Sequence, residues 1–569
     1  MFGIADSLSE KQRKLLHSSE EYYFYKIIFC NIDEDIFSVL YSSDKASRPN
    51  APLNCMVSAL MLKEKYNWTY EQLFKNINFN VLTKTALGLG AMDEIPFNDT
   101  TLFNFQNRLM RYYVETGVDL MENVFDKLTQ EQLKQLRIKT NIQRSDSFMA
   151  SSNIRSYSRL QLLIEVLLRL WRILDEEDKL KFKEHFSIYV NKTSGQYIYK
   201  LDAQELPREM EKIAELYHYC HRKILPKYAG TDYYRIFERV YNEHFTEVES
   251  KIHIKPTEEL NSGCLQSPDD EDATFRKKRG ESYRGQLINV TETSSPENEI
   301  NLLTDVAVNP NNKDDSAVLN ERIDEIQDKT PDLKELHTDG SYGSEDNDKK
   351  FEESGIKHVQ TAVRGRQSEV EFTIIKREEN KYEVECPYQS ALSEPTRKRH
   401  KCLFNSDICK TCPLSDKCPA VKGKSKRTYY FTEEDYLRNR RNRSINEIPP
   451  ERRKIRPNVE ATVNEFSCRQ RKKKLKVRGS FKTRLFAFSM AMAVNFGRIF
   501  RHITKTPPKT AESNALTAKI IFLFANFEQK ASKLCKYFHI KTKSKHFLLK
   551  YHFQKKICHF LSSQKKYAF

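Results

Sequence analysis

The sequence predicts an α/β protein, because helical and strand-like patterns alternate along its 569 residues. Apolar residues recur at helical spacing in Cys55–Leu73, and residues 1–135 as a whole are mostly helical in pattern. Ala273–Arg279 and Gly285–Glu292 alternate and are bounded by turn residues, which predicts a β-hairpin. Leu302–Val308 predicts a further strand after that hairpin.

A long helical segment interrupts the predicted strands. A dense apolar helix pattern fills Ser158–Leu174, and helical periodicity continues to about Phe245. Residues 158–257 are therefore predicted to form a helical insertion in the sheet. Val370–Ile374 and Lys381–Cys386 alternate like strands again, much later in the chain.

The charge of the chain points to a polyanionic partner. Its formal net charge is +17, with 95 Lys and Arg against 78 Asp and Glu, which favours nucleic acid. Acids are concentrated in residues 258–332 and bases in residues 422–505. We find no long apolar run that predicts a membrane span, and no signal-peptide core at the N-terminus. The protein is therefore expected in the cytoplasm, where thiols stay reduced.

Two aspartates follow strand-like runs. Asp146 comes shortly after Leu136–Arg144, and Asp339 comes directly after the run LKELHT. Carboxylates at the ends of two strands suit hard cations such as Mg²⁺, which prefer oxygen ligands. Asp314 and Asp315 precede a predicted helix and are instead interpreted as its cap.

A glutamate lies on a predicted helix late in the chain. Pro457 can occupy the first turn of this helix. The apolar residues of one face recur at helical spacing: Val459, Val463 and Phe466. Glu460 lies one turn into the helix, with Arg456 four residues before it. Glu460 either forms a surface ion pair with Arg456 or, together with the aspartates, belongs to a two-metal site.

The surroundings of all three acids resemble those of a known family. The stretches are SDSFMASSNIRSYSRLQLLIEVL, TDGSYGS, ERRKIRPNVEATVNEF and VRGSFKTRLFAFSMAMAVNFGRIFR. They are similar to the DDE transposases of bacterial insertion sequences, in the subgroup with a cysteine cluster between the second and third acids. The resemblance covers roughly residues 45–502. One departure is Ser467, where the family often has Lys or Arg, a role that Arg469 or Arg471 could take.

The resemblance implies an RNase H-like mixed-sheet catalytic core with added segments. The implied divisions are an N-terminal helical, DNA-binding domain (1–135), the core (136–157, 258–350 and 445–502), the helical insertion (158–257), a Cys-rich insertion (351–444) and a basic aromatic tail without assigned role (503–569).

The resemblance also implies an activity. Asp146, Asp339 and Glu460 would hold two Mg²⁺ or Mn²⁺ ions, and the enzyme would cleave the ends of its own mobile element and join the 3′-OH to target DNA. The implied partner is double-stranded DNA, with its terminal inverted repeats and target, bound by a homodimer in the nucleoid. Two alternatives remain: a metal-dependent nuclease without strand transfer, and an inactive transposase-derived DNA-binding protein.

Five cysteines fall within 33 residues: Cys386, Cys402, Cys409, Cys412 and Cys418. Cys409 and Cys412 have the spacing that lets two thiolates share one tetrahedral zinc ion. Cys418 is a third candidate ligand, and the fourth is Cys386 or Cys402. The family pattern favours Cys386. The alternatives to a structural Zn²⁺ are a redox pair and buried free thiols.

A basic run follows the helix that carries Glu460. Arg469–Arg484 contains nine bases and no acid, which predicts contacts to DNA phosphates. The alternative is a solvated charged face. The residues predicted to bind DNA are Arg456, Arg469, Arg471, Lys472, Lys473, Lys474, Lys476 and Arg478.

Overall fold

The structure of this protein, a computed structural model, describes residues 4–41, 51–249, 251–360, 370–423, 425–467 and 474–505. Residues 1–501 form one unit, and residues 502–569 a second, of which only the helix end at residues 502–505 is described. Four predicted DNA-binding residues lie outside the described residues: Arg469, Arg471, Lys472 and Lys473. So do the side chain of Arg456 and residues 506–569 of the predicted tail.

The chain begins with helices, as predicted. The α-helices before the first strand are α1 Ile4–Ser7, α2 Glu10–His17, α3 Glu20–Ile27, α4 Leu53–Lys65, α5 Tyr70–Phe79, α6 Val81–Ala86, α7 Asp99–Thr116 and α8 Leu120–Gln135. Strand β1 follows at Ile142–Ser151 and carries Asp146 in its middle.

The predicted helical insertion follows β1 and has its own core. Its elements are α9 Arg159–Ile173, α10 Glu176–Val190, α11 Ser194–Tyr199, α12 Leu206–Lys223, α13 Asp232–His244, β2 Phe245–Val248 and β3 Lys251–Ile254. Leu163, Phe186, Tyr217 and Phe237 are fully buried in one cluster within this segment. The rings of Tyr217 and Phe237 stack with their centroids 4.6 Å apart.

A mixed sheet forms around β1. Its other elements are β4 Thr274–Lys278, β5 Glu281–Thr293, β6 Leu303–Pro310, helix α14 Asp315–Lys329, β7 Glu335–Thr338, α15 Glu345–Ser354 and β8 Lys357–Gln360. The strand order is β6–β5–β1–β7–β8, and β4 pairs with the first residues of β5, 281–285. Strand β5 is antiparallel to β1 and to β6, whereas β7 is parallel to both β1 and β8. The predicted hairpin and third strand are therefore present.

A second sheet, with its connecting segments, contains the five cysteines of the predicted cluster. Its elements are β9 Thr373–Glu378, β10 Lys381–Cys386, β11 Gln389–Pro395, β12 His400–Asn405, α16 Ser406–Lys410, β13 Val421–Lys422, β14 Lys426–Phe431 and α17 Glu433–Asn446. The strand order is β13–β14–β12–β11–β10–β9. A separate core around Phe372, Tyr382 and Phe404 stabilises this segment.

Three helices complete the described chain: α18 Pro450–Arg453, α19 Val459–Ser467 and α20 Ser480–Lys505. Val459 and Phe466 are buried, which confirms the predicted apolar face of α19. The Phe466 ring lies 5.6 Å, centroid to centroid, from the ring of Phe148 on β1. Helix α19 therefore covers the face of the sheet on which Phe148 lies.

One hydrophobic core joins the N-terminal helices, this sheet face and α20. Phe24 and Phe125 from the N-terminal helices contact Phe496 and Phe488 of α20, with ring centroids 5.2 Å and 6.0 Å apart. Residues 4–135 are thus packed on the sheet through shared side chains. Among the helices in the described part of the chain, none is long and apolar enough to cross a membrane.

Candidate active site

The register of two parallel strands brings Asp146 and Asp339 to the same level of the sheet. Arg144 of β1 is paired with His337 of β7. Asp146 lies two residues after Arg144, and Asp339 lies two residues after His337, just past the end of β7. Neighbouring strands are about 4.8 Å apart. Because side chains alternate along a strand, Asp146 shares the face of Arg144 and Phe148, which α19 covers.

Both aspartates are held by the backbone that follows them. The Ser147 N–H donates to Asp146 Oδ1 at 2.8 Å. Asp339 begins a 3₁₀ turn, Gly340–Tyr342, and its Oδ1 accepts from the Ser341 N–H at 2.7 Å. The Ser341 hydroxyl also contacts this carboxylate. These bonds restrict both carboxylates before any ligand binds.

A further carboxylate, Asp315, joins the two serines. It is 2% exposed, and its oxygens lie 2.5 Å from Ser147 Oγ and 3.1 Å from Ser341 Oγ. The interpretation of Asp314 and Asp315 as a helix cap is wrong for the side chains: Asp314 occupies the cap position of α14 but makes no capping hydrogen bond. The available signal was the serine close after each acid, in SDS and DGS. The expectation that Asp146 ends its strand is wrong, because β1 continues to Ser151.

Tyr342 lies buried beneath these carboxylates. Its hydroxyl accepts from Asn289 Nδ2 at 3.0 Å. Burial, followed by the charges of Asp315 and Asp146, raises the pKa of Tyr342 well above its ordinary value. The phenol is therefore held neutral and adds no charge beside the carboxylates.

Glu460 is exposed on α19, and a buried ion network fixes that helix to the sheet. Glu292 of β5 binds Arg144 at 2.7 Å and Arg498 of α20 at 2.5 Å. Thr462, two residues after Glu460, donates to the same carboxylate at 2.8 Å. The network therefore ties the strand of Asp146 to the helix of Glu460.

The carboxylates fit Mg²⁺ or Mn²⁺ by donor type, since hard cations prefer carboxylate oxygens. Across the described residues, however, no three or more His, Cys, Asp or Glu side chains lie close enough to hold a metal ion. The pairing of Arg144 with His337 puts Asp146 and Asp339 at the same level of neighbouring strands, and the convergence of Glu460 with them stays a prediction.

Four of the five cysteines line one cavity beside the second sheet. Cys386, Cys409, Cys412 and Cys418 line one cavity of about 20 Å³, roughly the space of one water molecule. Cys402 of β12 does not line this cavity. It is fully buried, and its Sγ donates to the Ala391 carbonyl at 3.3 Å. Of the two candidates for the fourth ligand, Cys386 is the one that faces the other three.

Of the eight residues predicted to bind DNA, the three with described side chains contact the protein itself. Lys474 Nζ donates to the Ile154 carbonyl at 2.6 Å, and Arg478 Nε donates to the Asn153 carbonyl at 2.8 Å. Lys476 donates to the Asn67 carbonyl, and burial lowers its pKa. Each cation keeps further N–H donors, so DNA contact stays a prediction.

Comparison with known proteins gives two family matches. Residues 379–500 match the Transposase DDE domain, and residues 13–108 match the Transposase domain (DUF772). The first match includes the cysteine cavity and Glu460 but neither aspartate. No curated protein and no solved structure matches the chain.

An α/β chain that carries both transposase domains is a nucleic-acid-processing enzyme of the transposase type. The two matched segments support a DDE transposase of an insertion sequence, as the sequence motifs predicted.

Proposed function

We propose that this transposase cleaves the ends of its own mobile element and joins the freed 3′-OH to target DNA. The observation that supports the proposal is the pairing of Arg144 with His337, two residues before Asp146 and Asp339, in a sheet against which the helix of Glu460 packs. The partner is double-stranded DNA, the terminal inverted repeats and the target, bound by a homodimer.

The sheet supports an RNase H-like core built from residues 136–157, 258–350 and 445–502. Its order is β6–β5–β1–β7–β8, and only β5 runs antiparallel to the others. Helix α14 lies between β6 and β7, and α15 between β7 and β8. The other segments are insertions into this order or extensions of it.

Asp146, Asp339 and Glu460 are the residues that would hold the two Mg²⁺ or Mn²⁺ ions. Bound ions of this kind supply Lewis-acid polarisation of a phosphate and lower the pKa of water. The chain's own part is to hold the carboxylates still. The backbone N–H groups of Ser147 and Ser341 each donate to one of the two aspartates. Asp315, the first residue of α14, accepts from both serine hydroxyls.

A donor plasmid that carries the element's inverted repeats distinguishes the candidate activities. With Mg²⁺, we expect nicks that leave 3′-OH ends at the repeats, followed by joined products with a target plasmid. Cleavage without joined products would identify a nuclease, and binding without cleavage an inactive DNA-binding protein.

Asp315→Asn should lower the affinity for Mn²⁺ and the cleavage rate by about 10- to 100-fold, the usual cost of removing a partner that orients a metal ligand. An amide is a poorer acceptor for the hydroxyls of Ser147 and Ser341 than a carboxylate. Metal affinity is measured by calorimetry on the full chain. The matched control is Asp314→Asn, since Asp314 is mostly exposed. If both variants bind Mn²⁺ like the parent protein, Asp315 does not position the site.

The cysteine cavity is proposed to hold one structural Zn²⁺. Its four thiols are the donor set of a closed tetrahedral site, although they are not gathered at ligand distance among the described residues. We expect about one zinc per chain, absent from Cys409→Ser and retained in Cys402→Ser. Removal of the metal should also destabilise the second sheet, because such sites couple metal binding to folding. Metal-free protein with all five thiols titratable would contradict the proposal.

A further inference from the structure

A polar cleft lies at the end of the strand that carries Asp146. Two adjoining openings, of about 430 Å³ and about 470 Å³, share Ile154 and Lys474 in their walls. The first is bordered by α9 of the helical insertion, and the second by the β4–β5 hairpin. Lys474 also forms an isolated β-bridge with Ser151, the last residue of β1. We call the two openings together the strand-end cleft.

Cations outnumber acids in the walls of this cleft. The acids are Glu165, Asp269 and Glu281, and the cations are Arg155, Arg169, Arg284, Lys474 and Arg478. Arg169 lies 2.8 Å from Asp269 and 3.6 Å from Glu165. Arg478 also lies 3.5 Å from Asp269, so these two acids are paired within the wall, and with five cations against three acids the walls carry a positive charge.

The loop between the two openings is fixed in place. Lys474 and Arg478 donate to the carbonyls of Ile154 and Asn153, as described above. Arg155, the next residue, is exposed. A cation presented from a fixed loop loses less freedom when it binds an anion than one on a mobile loop.

The chemistry of the walls indicates what the cleft would take. Small-molecule sites are enclosed and mostly apolar, whereas this cleft is open and lined by charged groups and by the exposed Ser282. Arg, Lys, Ser and Tyr side chains are the groups that contact phosphate oxygens of DNA. We infer that the strand-end cleft binds the phosphodiester backbone of the DNA on which the enzyme acts.

The location gives the cleft a role separate from that of the acids. Ser151 lies five residues after Asp146 on β1, which is about 16 Å along a strand. A strand of DNA held in the cleft is therefore bound beside the carboxylates rather than at them. This inference rests on the proposed function, since it assumes that DNA is the substrate.

The test is the salt dependence of DNA binding by an Arg155→Gln, Arg284→Gln double variant of the full chain. Binding is measured in EDTA, where no metal-dependent cleavage occurs, on two duplexes of unrelated sequence. Removing one cation that binds a phosphate should reduce the slope of log affinity against log salt by about 0.9. We therefore expect a reduction of up to about 1.8, equal on both duplexes. The control is Lys183→Gln, Lys192→Gln, a pair of exposed lysines of the helical insertion that do not line the cleft.

The outcomes separate this inference from the proposed function. If the parent protein binds both duplexes and the double variant keeps the full slope, the cleft does not hold DNA, and the transposase activity is unaffected. If the parent protein binds neither duplex, the proposed function itself fails. Arg284 packs over the ring of Phe275 at 5.3 Å, so the single variant Arg155→Gln, with an expected reduction of about 0.9, serves if the double variant does not fold.

Discussion

Asp146→Asn, Asp339→Asn and Glu460→Gln should each reduce Mg²⁺-dependent DNA cleavage by roughly 10³-fold or more. Metal ions contribute several kcal/mol to the stabilisation of such a transition state, and each 1.4 kcal/mol or so corresponds to tenfold in rate. The substitutions keep the shape of each side chain and remove its charge. The rate of nicking at the inverted repeats, measured in a single turnover, reports the effect.

DNA binding in EDTA is the control for these three variants. It should stay near that of the parent protein, because the carboxylates repel phosphate rather than bind it. Glu451→Gln, at an exposed glutamate of α18, is a control for loss of one carboxylate, because Glu465 belongs to the Arg498 ion network. Cleavage near the parental rate in any one of the three variants would remove that residue from the site.

Local sequence patterns predicted the elements of the catalytic segment well. The strands before Asp339 and around Asp146 were predicted from strand-like runs, and α19 from apolar residues at helical spacing. The predicted hairpin and the strand after it are also present as β4, β5 and β6. Each of these predictions depends only on residues that are close together in the chain.

The role of Asp315 could not be predicted in this way. Its partners, Ser147 and Ser341, are 168 and 26 residues away, so the contact depends on how α14 crosses the sheet. The position of Cys402 depends in the same way on the pairing of β11 with β12. The shared core of the N-terminal helices with α20 joins side chains from opposite ends of the described chain. No local pattern indicates such partners.

Glu292→Gln should destabilise the sheet and its N-terminal helices by about 3–5 kcal/mol, the usual cost of removing one partner from a buried ion pair. Glu292 is 0% exposed and sits between Arg144 and Arg498. Burial alone would lower the pKa of Arg498, but Glu292 and Glu465 raise it. Without the carboxylate, two guanidinium groups lose their shared acceptor in the interior.

The two tryptophans allow this destabilisation to be located. Trp68 packs against the core shared with the sheet, and Trp171 lies in the separate core of the helical insertion. Urea unfolding is therefore followed by fluorescence in Trp171→Phe and Trp68→Phe backgrounds. We expect Glu292→Gln to shift the Trp68 transition strongly and the Trp171 transition little. Glu378→Gln, at an exposed pair with Lys381, should shift neither.

Disruption of this network should also affect catalysis, because Thr462 and Arg498 fix the helix of Glu460 through the same carboxylate. Under conditions where Glu292→Gln is still folded, its cleavage rate should fall while its affinity for DNA in EDTA is unchanged. A variant with parental stability at Trp68 and a parental cleavage rate would show that α19 is held by its apolar face alone. The ion network would then have no part in placing Glu460 over the sheet.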